Sequence, residues 1–129
     1  MRRPSCSFAH RGAVILLMAW TACFGPAHAS QLCSPSRLVA IKQARSIVAE
    51  ASFSTELYAR GRTTGLFNSE LLQQANDELT SARKTLRGDD EAVALVDAAQ
   101  SGIQTGNSAH LRGLADELLN LERANGLCP

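Results

Sequence analysis

The chain has 129 residues, a formal net charge of +1 and only 5% aromatic residues. The stretch up to Ala29 reads as an export signal, and Ser30 to Pro129 carries 10 basic against 12 acidic groups, a net of −2. That balance excludes a nucleic-acid binder, which needs a strong basic excess, and the length suffices for one domain that buries roughly 65% of its unfolded surface.

Arg2, Arg3 and Arg11 form a positive leader, Ala13 to Phe24 is apolar, and Ala27-His28-Ala29 offers small residues at a cleavage site before Ser30. As a helix the apolar stretch spans about 18 Å, short of the ~30 Å of bilayer hydrocarbon. The expected domains are therefore a secretory signal over 1–29 and a single helical domain over 30–129, located in the periplasm or secreted. The alternative is a lipoprotein anchored at Cys23, for which Trp20 is a poor signal residue. Cleavage leaves Cys33 and Cys128, one near each end of the remaining chain. In an oxidising compartment such a pair reads as a structural disulfide.

No proline lies between Ser36 and Cys128, and no stretch alternates with period two, so the pattern is helical throughout. The first helix starts at Ser34-Pro35 and runs to about Ala59, with Ile41, Ala44, Val48, Ala51, Thr55 and Tyr58 on one buried stripe. Ser52-Phe53-Ser54-Thr55 is its weak point, where hydroxyls compete for backbone hydrogen bonds and a bend is expected. The loop from Arg60 to Gly65 ends it. The second helix is read from an N-cap at Asn68, with Phe67 and Leu72 as a hydrophobic staple. Its seam is Leu72, Ala75, Leu79, Ala82 and Leu86, and Arg87-Gly88 stops it.

The third helix starts at Asp89 or Asp90, turns Ala92, Leu95 or Val96, Ala99 and Ile103 inward, and closes at Thr105-Gly106. The fourth starts at Asn107 or Ser108, buries Leu111, Leu114, Leu118 and Leu121, and ends at Asn125-Gly126. Short connections make these helices antiparallel neighbours. The expected fold is all-α: a four-helix antiparallel up-and-down bundle, or two stacked helical hairpins, with the termini joined by a disulfide. An even helix count returns the chain to its starting end, where Cys33 and Cys128 must meet. A weak repeat relates Asn68-Ser69-x-x-Leu72 to Asn107-Ser108-x-x-Leu111, and each copy follows a Thr-Gly.

The available chemistry is sparse. His110 is the single histidine after Ala29, and no di-iron, haem, phosphate-loop, nucleophile-elbow or zinc-protease motif occurs. No cofactor and no metal is expected. Asp77-Glu78 and Asp116-Glu117 each split between helix faces, and Asp89-Asp90-Glu91 suits a helix N-terminus. Residues 30–62 carry a net of +3 and residues 63–129 a net of −5. Either the first helix rests on acidic neighbours, or a bipolar surface steers a partner.

The sequence identifies no specific activity. It favours a non-enzymatic module that binds another envelope protein, of chaperone, inhibitor, immunity or adaptor type. Phe53, either a core residue of a bent helix or an exposed apolar contact, is the candidate binding residue together with Arg60 and Arg62. The alternative is a small helical enzyme, such as an exported mutase, that holds an anionic metabolite with Arg37, Lys42 and Arg45. A third reading, an acid-responsive chaperone, rests on self-repulsion once the carboxylates are protonated.

Overall fold

The computed structural model describes residues 34–126, which form four helices and no strand. They are α1 (Pro35–Ala59), α2 (Gly65–Thr85), α3 (Asp90–Thr105) and α4 (Ser108–Asn125). The leader, its cleavage site, Cys23, Cys33 and Cys128 lie outside the described residues.

The chain encodes its helix ends with ordinary capping chemistry. Pro35 opens α1, where its missing N–H costs nothing. At its other end Gly61, at φ 65°, takes the left-handed turn. Arg62 N then donates to Leu57 O and Gly61 N to Tyr58 O, the paired bonds of a Schellman motif. Asp89 caps α3 by accepting from Ala92 N at 3.2 Å, and Asn107 caps α4 by accepting from His110 N at 3.0 Å.

The second helix departs from expectation. Thr64, not Asn68, is its N-cap, and the Thr64 hydroxyl accepts from Phe67 N at 3.2 Å. Both are good capping residues, and sequence alone does not rank them. A cross-helix contact decides it: buried Asn68 accepts a hydrogen bond from Ser54 Oγ of α1 at 2.9 Å. The helix therefore begins a turn earlier, and Phe67 becomes an exposed first-turn residue with no staple to Leu72.

The serines of α1 are also used differently from expectation. The helix runs unbroken through them. Ser52 Oγ donates to Ser108 O at the start of α4 (2.9 Å) and Ser54 to Asn68, while Thr55 alone bonds back, to Ala51 O. The hydroxyls fasten helices together in place of bending one.

Cross-helix pairs fix the directions. Arg45 meets Glu122 and Ser52 meets Ser108, so α1 and α4 are antiparallel. Gln100 reaches Asn76 and Thr80 while Arg83 meets Asp97, so α2 and α3 are antiparallel too. The Asp97 hydrogen bond and charge raise the Arg83 pKa above its ordinary value. The helix α1 packs most extensively on α4, then on α2, and only slightly on α3.

Among the described residues the core is built without an aromatic ring. Ile41, Val48, Val96, Leu79, Leu86, Leu111 and Leu118 are its largest fully buried side chains, with Ala44, Ala51, Ala92 and Ala99 between them. Small residues facing leucines let backbones approach closely and still fill space. At Gly102 the approach is tightest, since a Cβ there would lie 2.9 Å from Leu111 Cδ2.

Helix lengths do not match, and this mismatch shapes the molecule. The 25 residues of α1 span about 37 Å and the 18 of α4 about 27 Å. Ser52 is level with the first residue of α4, so residues 53–59 rise about 10 Å beyond it. The first turn of α2, ahead of Asn68, rises with them. Tyr58 occupies the angular position of the core stripe, yet it is 50% exposed because little packs beside it at that height. Its ring lies against Gly65, 3.5 Å from where a Cβ would sit.

Candidate functional site

The two ends of the bundle carry different chemistry. At the end where the described chain begins and stops, Arg37 (8% exposed) donates from Nε to Asp89 Oδ2 at 2.6 Å and from Nη1 to Asn125 Oδ1. Asn125 in turn donates to Leu121 O. One guanidinium thus joins the start of α1, the cap of α3 and the last residue of α4. Buried ion pairs persist where geometry and hydrogen bonds offset desolvation, and this one has both.

The other cations of the enzyme reading are also set against carboxylates. Arg45 Nε lies 2.8 Å from Glu122 Oε2, and Lys42 Nζ lies 4.0 Å from Glu122 Oε1. The basic residues of α1 therefore face acids from the rest of the chain, as the charge split between the two segments suggests. Among the described residues no group of three or more His, Cys, Asp or Glu could hold a metal ion. His110, Asp77, Asp116 and Glu117 are exposed.

The opposite end exposes large apolar side chains beside groups of both charges. Phe53 (61% exposed), Tyr58 (50%), Leu66 (70%) and Phe67 (54%) are all on its surface. The structure divides the three predicted binding residues. Phe53 faces outward and lines a cleft of about 230 Å³ between α1 and α4, with Ala49, Glu56, Arg112 and Ala115 among its walls. Glu56 accepts from Arg112 Nη2 at 2.6 Å and pairs with Arg60 one turn on. Phe53 and Arg60 thus belong to one arrangement, an exposed ring beside an Arg-Glu-Arg chain. Arg62 lies apart, in the turn between α1 and α2, exposed and without an ion pair among the described residues.

Sequence reasoning missed Arg112 and the exposure of Tyr58 and Phe67. The signal for Tyr58 was present in the helix lengths, because a helix seven residues longer than its neighbour must overhang. Arg112 carried no such signal, since its partner is 56 residues away.

A second cleft, about 190 Å³, runs between α1 and α2, and Phe67 is one of its walls. Ile47, Leu71 and Ala75 form its floor and Glu50, Glu70 and Glu78 its rim. The weak internal repeat does not correspond to equivalent positions: Asn107 caps its helix, whereas Asn68 sits inside one. Between Thr64-Gly65 and Asn68-Ser69 stand Leu66 and Phe67, which have no counterpart between Thr105-Gly106 and Asn107-Ser108.

No helix among the described residues is long and apolar enough to cross a membrane. The chain matches no protein-family model, no curated protein and no solved structure.

Proposed function

We propose that this protein is an exported, non-enzymatic module that binds another envelope protein through the cleft around Phe53. The observation that carries the reading is a 61% exposed phenylalanine at the mouth of a cleft, flanked by Arg60, Glu56 and Arg112. An apolar ring surrounded by oriented charges is the anatomy of an interface hot spot, where the ring supplies energy and the charges supply register. Cleavage before Ser30 would release the bundle into an oxidising compartment. There Cys33 and Cys128 would close the bundle into a terminally stapled up-and-down fold. The Arg37–Asn125 contact supports this pairing, because each cysteine is three or four residues from a touching side chain.

The test is site-specific photocrosslinking in cells that export the full chain. A photoreactive residue at Phe53 should give one dominant protein adduct, and Arg112→Glu should weaken it. A residue at exposed Val39, far along α1, should not give that adduct. Identical patterns from both positions would sink the proposal.

A further inference from the structure

The cleft between α1 and α2 combines an apolar floor with a rim of a single charge. Ile47, Leu71 and Ala75 make the floor, and the half-exposed ring of Phe67 forms one wall. Three carboxylates, Glu50, Glu70 and Glu78, stand around it. Elsewhere Asp89, Asp97, Glu56 and Glu122 each meet an arginine, whereas these three enter no salt bridge among the described residues. The cause is written in the sequence: residues 46–59 and 63–82, which build the cleft, contain no lysine or arginine. The complementary cation must come from outside them. Glu70 and Glu78 stand about 12 Å apart along α2. Glu50 faces them from α1, one turn from Ser54, whose bond to Asn68 sets it at a height between the two. Gln74 donates to Glu78 Oε1 at 2.8 Å, which orients that carboxylate and leaves the Gln74 carbonyl to accept another N–H.

We infer that this cleft binds a linear aliphatic polyamine, its methylenes lying along the apolar floor and its ammonium groups meeting Glu50, Glu70 and Glu78. Shape and charge both select that class. At about 190 Å³ the cleft is smaller than the usual pocket for a drug-sized ligand, so it suits a thin chain. Its carboxylates are spread over two helical turns, and among the described residues no three acids are grouped to hold one metal ion. A lysine side chain from a protein carries its single ammonium at the tip and leaves the other carboxylates unmet. A chain with ammonium groups at intervals matches the row. Phe67 adds an aromatic face, beside which an ammonium is favoured. Carboxylates bordering an apolar trough gain more from a cation than freely solvated ones, because the bound chain displaces water between them. The site is distinct from the Phe53 cleft, which α1 shares with α4, and does not depend on a protein partner there.

The test is isothermal titration calorimetry on protein recovered after expression of the complete sequence, with spermidine as the probe at low ionic strength. One spermidine should bind per chain, and rising salt should weaken it. Butylamine, with a single ammonium, should bind at least tenfold more weakly. Exposed ion pairs contribute up to about fivefold each, so Glu70→Gln/Glu78→Gln should weaken spermidine about tenfold. Phe67→Leu, which keeps an apolar wall and removes the ring, should weaken it about threefold. Glu91→Gln/Glu117→Gln removes the same charge from α3 and α4 and should leave binding unchanged. Circular dichroism confirms that each variant is folded. A polyamine site is ruled out if that control loses as much affinity as the rim variant, or if spermidine binds no better than butylamine. It is equally ruled out if a lysine-rich peptide occupies the cleft and spermidine does not. A dimer in sedimentation that the rim variant dissociates would assign the cleft to a second copy and overturn it too.

Discussion

At one end of the bundle a buried guanidinium gathers three chain segments; at the other, aromatic rings stand in water above the last packed layer. The difference lies in which groups each end buries. Arg37 and Asp89 are each less than a tenth exposed, and each satisfies the other. Tyr58, Leu66 and Phe67 are half exposed or more, and little packs above them. Polar groups therefore stabilise the closed end while apolar groups are left over at the open one, the reverse of the usual inside-outside division. A protein with this division keeps its stability and its contacts in separate places. Substitutions at either end should then be separable.

The largest effect is expected from Arg37→Ala. It strands the Asp89 carboxylate in a buried site, which costs about 3–5 kcal/mol, read as a fall in midpoint during denaturant unfolding. Combining Arg37→Met with Asp89→Asn, which keeps a capping oxygen for Ala92, should recover at least half of the loss. No recovery would mean that the closed end depends on charge itself.

Next comes the cysteine pair. Cys33→Ser/Cys128→Ser should lower stability by about 2–4 kcal/mol, since the bridge would close almost the whole folded chain. Intact mass before and after thiol alkylation checks the starting state; two free thiols in the exported protein would refute the staple.

The smallest effect belongs to the open end. Leu66→Ser/Phe67→Ser should change stability by less than ~0.5 kcal/mol, the usual range for surface positions. A loss comparable to that of Arg37→Ala would show that the rings support the fold after all and erase the contrast between the ends.

Much of this architecture was legible in the sequence, for definite reasons. The seam Leu72, Ala75, Leu79, Ala82 and Leu86 has the spacing that only a helix can bury on one side; the last four are buried and Leu72 is partly buried against them. Asp89 and Asn107 cap as expected; Asp89 does so while also holding Arg37, because Oδ1 accepts from Ala92 N and Oδ2 from Arg37. Asn68 failed the same logic because Ser54, distant in sequence, claimed it. Tyr58 failed because periodicity reports direction around an axis and is silent about height along it. Periodicity allows Phe53 either core or surface, and the unbroken course of α1 decides for surface. The pairing of Glu56 with Arg112 joins two helices whose relative height no local pattern encodes.

The aromatic-free core also has an optical consequence. Tyr58 is the single tyrosine of the chain, and the single tryptophan, Trp20, belongs to the stretch before Ser30. Removing that stretch would strip the chain of most of its absorbance in the near ultraviolet, which makes loss of the leader readable in a spectrometer. What emission remains would come from one phenol at the overhanging tip. A fluorescence titration of the trimmed protein would then report events at that tip, while melting of the leucine and alanine interior went almost unseen.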